Sequence, residues 1–173
     1  MAQTLLELVE AEKLIAAPAE WSRSGRSLEL KLPLEIDGVV EEQFFFRATA
    51  IASLPDEQVV FQLEYHGVRV PGGTGPLCRL EWNPKQGKPH NNKGRGPLEL
   101  QFVDTFGTHF HPFEYNWSDI NGALLRDNLP VAVPVSEHIQ GFRQCVAFVG
   151  NLFRIKNIDV VKTPEWVLDL DLR

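Results

Sequence analysis

Two cysteines, Cys78 and Cys145, and one methionine are all the sulfur in this chain of 173 residues. Thiols so few and so far apart exclude a disulfide framework and a zinc ribbon, and the pair reads as two small buried hydrophobes. No apolar run reaches the roughly 18 residues that would mark a membrane span. The N-terminus, MAQTLLELVEAEKLIAAP, lacks the basic start and unbroken apolar stretch of a secretory signal. These absences lead to the expectation of a cytoplasmic protein with no membrane partner. Also missing are a Gly-x-Ser-x-Gly elbow, a Cys-x-x-Cys pair and the Gly-x-x-x-x-Gly-Lys-Ser/Thr order, which removes serine hydrolase, thioredoxin-like and Walker-loop readings.

One further absence is local. The net charge is -6, which argues against a wholly basic nucleic-acid-coating protein. Yet no acidic residue occurs between Pro84 and Pro97, where Lys85, Lys88, Lys93 and Arg95 lie. A basic loop on an acidic body can attract an anion or simply be a solvated segment.

What is present is mostly alternation. Thr4 and Glu7 have the spacing of a capping box, and Leu5, Leu8 and Val9 continue a helix that should end by Pro18. From Ser27 the period becomes two. Leu28, Leu30, Leu32, Leu34 and Ile36 form one face of a strand, with Pro33 suggesting a sheet edge. Asp37-Gly38 predicts a hairpin turn. Further strands are expected over residues 43–50 and 58–66, the latter burying Val59, Phe61, Leu63 and Tyr65. A fourth is expected over 77–82, a fifth over 98–102, and a sixth carrying His109 and His111 on one face opposite Phe110. A short helix is expected over 118–126. A longer one capped by Ser136 would carry the stripe Ile139, Phe142, Val146 and Val149, and the alternating EWVLDLDL tail reads as a last strand. The expected fold is a single α+β domain spanning 1–173. It has a mainly antiparallel sheet of about six strands, an N-terminal helix and a longer C-terminal helix.

The chemistry concentrates in HNNKGRGPLELQFVDTFGTHFHPFEYNW, residues 90–117. His109 and His111 lie two apart on a strand, so both imidazoles face the same way. They can chelate zinc or iron if His90, His66 or Glu114 supplies a third ligand. His90, Asn91 and Asn92 sit among Gly87, Gly94 and Gly96, which let backbone N–H groups approach an anion. Arg79 and Glu81 share a strand face by parity, as an ion pair or as a catalytic pair. If the strands carrying these residues are neighbours, His66, Arg79, Glu81, His109 and His111 meet on one face. Such a set can cleave a phosphodiester without a metal, with histidine or glutamate as acid and base and cations on the phosphorane.

The order of these pieces resembles a group of small bacterial toxin-like proteins of toxin–antitoxin systems, many of them uncharacterised. The resemblance covers residues 60–117. It runs through Tyr65, His66 and Arg69, then Arg79 and Asn83, then Pro89, His90 and Asn91, and finally the His109-x-His111 pair. Glu81 stands where that pattern has aspartate, a long insert precedes Pro89-His90, and Thr108 replaces a proline. The resemblance implies a ribonuclease-like activity on RNA and a cognate antitoxin-like partner. On that reading His90, His109, His111, Arg79 and Glu81 are catalytic, and His66, Lys93, Arg95 and Asn91 bind substrate, with no cofactor. The alternatives are a zinc or iron centre built on His109, His111 and His90, and a non-catalytic interaction module.

Overall fold

A computed structural model describes residues 4–68 and 74–167. The chain is a mixed α/β fold dominated by one antiparallel sheet. It opens with helix α1 (Leu5–Glu10), whose capping box is formed as the sequence predicts: Glu7 N–H donates to Thr4 Oγ1, and Thr4 N–H to the Glu7 carboxylate. Strands β1 (Leu14–Ile15) and β2 (Ser22–Ser24) then both pair with the outer edge of β3 (Ser27–Ile36). Pro33, which has no N–H to give, falls between these two short partners. Strands β4 (Val39–Ile51), β5 (Val59–His66) and β6 (Thr74–Trp82) follow as a meander.

The expected fifth strand over 98–102 is not a strand. Residues Leu98–Leu100 form a 3-10 turn, and Leu98 and Phe102 are exposed. The free edge of β6 is taken by a later segment, so the alternation of Leu98, Leu100 and Phe102 finds no partner. Between β6 and that segment the chain makes a separate two-stranded ribbon, β7 (His90–Asn91) with β8 (Asp104–Thr105). Strand β9 (His109–His111) pairs with β6. The expected helix over 118–126 is replaced by a single turn, α2 (Phe113–Asn116), and a small hairpin of β10 (Trp117–Ser118) and β11 (Ala123–Leu124) around Asn121-Gly122. Asn-Gly is a hairpin sequence, and it prevails over the helical spacing. Strand β12 (Val133–Pro134) pairs with β9 and completes eight strands, ordered β1-β3-β4-β5-β6-β9-β12 with β2 beside β1 on β3. Five of the expected six strands are in this sheet, and the three that were not expected, β1, β2 and β12, are two- and three-residue segments, too short to show a period.

The long helix α3 runs over Gly141–Phe153, beginning after the expected cap Ser136, which contacts Glu137 instead. It presents Phe142, Val146, Val149 and Phe153 to one face of the sheet. There Leu30, Ala48, Phe61, Leu80 and Phe110 line up across five strands. Burial of such a row, at about 25 cal/mol per Å², fixes the register, since a one-residue slip would turn every side chain over. The expected tail strand lies mostly outside the described residues, as does Arg69. Among the described residues no helix is long and apolar enough to cross a membrane.

Candidate metal centre

The register that aligns the apolar row also aligns the opposite face. Lys31, Arg47, Gln62, Arg79 and His111 form one row, and Glu29, Thr49, Val60, Glu81 and His109 the next. Adjacency of β5, β6 and β9, on which convergence depends, is therefore real, and it gathers Arg79, Glu81, His109 and His111. The β7–β8 ribbon folds over this end of the sheet and brings in His90, which pairs with Thr105. The three imidazoles form a compact triangle, with ring centroids 5.3 Å (His90–His109), 4.9 Å (His90–His111) and 5.1 Å (His109–His111) apart.

Each ring is oriented by a carbonyl. His109 Nδ1 donates to Gly107 O at 2.8 Å, His111 Nδ1 to Leu129 O at 2.7 Å, and His90 Nε2 to Pro130 O at 2.9 Å, with Asn92 Oδ1 at 3.1 Å from the same nitrogen. A hydrogen on one nitrogen leaves a lone pair on the other. The free atoms are thus His90 Nδ1, His109 Nε2 and His111 Nε2. One ligand nitrogen from each ring lies within 4.8 Å of the others. A tetrahedral ion at ~2.1 Å from each nitrogen would hold them about 3.4 Å apart, so an edge at the 4.8 Å limit would have to close by on the order of 1 Å.

Glu81 completes the constellation. Its Oε2 lies 3.6 Å from His109 Nε2 and its Oε1 3.5 Å from His111 Nε2, with Arg79 Nε 3.1 Å from that same Oε1. A hydrogen bond from His111, open only to its Nε2–H tautomer, and the Arg79 guanidinium lower the Glu81 carboxyl against its burial. Burial lowers His109 below the usual histidine range and pushes His111 down to about 4. At neutral pH the His109 and His111 imidazoles are therefore neutral and face a carboxylate. His111 is fully buried, and its Nε2 has no hydrogen-bond partner among the described residues. A buried acceptor without a donor costs about 1–3 kcal/mol, and a cation would relieve it.

The triangle opens on one side into a cleft of about 370 Å³ whose wall includes Glu81, His90, His109, Val60, Lys85 and Lys88. The remaining expected site residues do not reach it. His66 lies at the far end of β5, with Nε2 3.2 Å from Glu64 and 3.1 Å from Lys31. Asn91 is engaged by Asp104, the Phe102 carbonyl and the Lys93 N–H. Lys93 is exposed, and Arg95 pairs with Asp127 at 2.8 Å. Both line a separate cleft on another side of His90. Glu114 is exposed on α2. Residues 129–132 and Asn116, which support the site, were not singled out by pattern. The available signal is one asparagine amid the aromatics of FEYNW. Comparison of the chain with protein-family models, with curated proteins and with solved structures gives no match.

Proposed function

We propose that this protein binds a divalent transition metal, zinc or iron, through His90 Nδ1, His109 Nε2 and His111 Nε2, and uses it in hydrolysis of an anionic substrate. The observation that carries the reading is the triangle of carbonyl-oriented imidazoles, one of whose inward nitrogens is buried without a donor. Backbone carbonyls that take the hydrogen of the other ring nitrogen, and so fix the tautomer, are common partners of metal-binding histidines. Three neutral imidazoles are a catalytic zinc set, which keeps a position open for water and lowers the pKa of that water to ≈ 7. The cleft provides access to that position. Glu81, held ionised beside Arg79, is placed to accept the proton of a water in the cleft or to serve as a fourth ligand. Lys85 and Lys88 at the mouth favour an anion. Elemental analysis of the untagged protein, purified without chelator, tests this. Near-stoichiometric zinc or iron is expected, and less than ~0.1 metal per chain would contradict it.

A second reading uses the same cleft without metal: a ribonuclease-like effector in which Glu81 and His109 exchange protons with RNA and the lysines hold phosphate. The approach of Glu81 to two imidazoles supports it. Cleavage of single-stranded RNA that persists in excess chelator and disappears in His109→Ala is its signature. An antitoxin-like partner belongs to this reading and would be sought by co-purification.

A further inference from the structure

Residues 129–132 (Leu-Pro-Val-Ala) are held like a strand, but by side chains. Asn116 Nδ2 donates to Val131 O at 2.8 Å while its Oδ1 accepts the Val131 N–H at 2.9 Å. Asn92 repeats the arrangement one residue on, with Nδ2 to Ala132 O at 3.0 Å and Ala132 N–H to Oδ1 at 2.8 Å. Each amide is anchored a third time, Asn116 to Pro112 O at 2.8 Å and Asn92 to Leu100 O at 3.2 Å. Both side chains are almost fully buried. A carboxamide is the side chain that presents a donor and an acceptor as a peptide group does. Val131 also packs on Gly96, where a Cβ would come within 2.5 Å of Val131 Cγ1. The two preceding carbonyls, Leu129 O and Pro130 O, are the ones that orient His111 and His90.

We propose that Asn92 and Asn116 are positioning residues of the three-histidine centre: they clamp residues 129–132 so that the Leu129 and Pro130 carbonyls fix the tautomers of His111 and His90. The consequence for function rests on the metal reading above. His111 has a competing tautomer, because a hydrogen on Nε2 could be donated to Glu81, 3.5 Å away. That tautomer blocks the nitrogen a metal needs. The Leu129 carbonyl opposes it only while the strap stays in place.

The test compares wild type, Asn116→Asp and Asn92→Asp by cobalt(II) titration and by ¹⁵N imidazole spectra of the metal-free proteins. Aspartate keeps the acceptor and removes the donor. Cobalt affinity is expected to fall 10–100-fold, with a new population of the Nε2–H tautomer at His111 in Asn116→Asp; in Asn92→Asp the retained oxygen still accepts from His90 Nε2, so affinity alone is the readout there. Folded variants with wild-type tautomers and affinity within twofold overturn the proposal. Lys13→Met, a stability variant remote from the strap, should leave both readouts unchanged. Wild type that binds no cobalt refutes the metal reading, while the spectra still decide the strap. If the variants do not fold, hydrogen exchange on wild type decides: the Val131 and Ala132 amides should be protected, and exchange at open-loop rates overturns the clamp.

Discussion

His111 Nε2 and Glu81 Oε1 face each other across 3.5 Å, and while His111 donates from Nδ1 to Leu129 no hydrogen lies between them. Two electron-rich atoms in a buried site are held there by the fold, with the Arg79 guanidinium beside the same carboxylate oxygen. A metal ion between the imidazoles converts this local repulsion into attraction. Metal should therefore stabilise the protein strongly. At free ion about 1,000-fold above Kd the gain is about 4 kcal/mol, read as a rise in Tm that chelator reverses. His111→Ala should lose this increment, and His66→Ala, at the other end of β5, should keep it. An equal metal-dependent shift in both variants would show that the ion binds elsewhere.

Glu64 governs acid stability by a different route. Burial alone would raise its carboxyl, but hydrogen bonds from Arg47, His66 and Gln62 outweigh burial and hold it below the usual range. A carboxyl depressed on folding contributes stability above its unfolded pKa, and the contribution is lost as pH falls through the folded value. The loss should begin below about pH 4.3. Urea midpoints at pH 7 and pH 3.5 should differ less in Glu64→Gln than in wild type. An unchanged difference would assign the acid limb to other carboxylates.

How much of this was legible depended on the length of each signal. Ten residues of strict alternation in β3 place Leu28 through Ile36 on the core face, and parity alone puts His109 and His111 on the face opposite Phe110. Convergence of His90 with that pair was open in the sequence, because a ribbon of two-residue strands leaves no period to read. Leu98, Leu100 and Phe102 had the right period for a strand, but β9 occupies the β6 edge they would have joined. The supports at Leu129, Pro130 and Asn116 act through backbone carbonyls and one carboxamide, which hydropathy does not register.

Among the described residues, Lys13 is buried without a carboxylate partner. Its ammonium donates to the carbonyls of Val9, Ala11 and Phe153 at 2.7, 2.6 and 3.1 Å, gathering the C-terminal ends of α1 and α3. Carbonyls at helix ends carry partial negative charge and lack intrahelical donors. Lys13→Met preserves the aliphatic stem but strands these acceptors, so a loss of about 2 kcal/mol is expected in denaturant unfolding. A loss under about 0.5 kcal/mol would show that water replaces the ammonium at no net cost.

Gly150 lies inside α3 where alanine would ordinarily improve helix propensity by about 1 kcal/mol. Here a Cβ would run into Ile158 Cγ2 and lie 3.3 Å from Ile155 O, because the turn after the helix folds back against that spot. Overpacking of this kind costs about 1–3 kcal/mol, so Gly150→Ala should destabilise on balance. Ile158→Ala removes the obstructing methyl. In that background the retained Cβ still lies 3.0 Å from the new methyl, so Gly150→Ala should cost less but not nothing, a coupling of about 1–2 kcal/mol in a double-mutant cycle. If Gly150→Ala costs the same in both backgrounds, the close approach to Ile158 is not what makes glycine necessary.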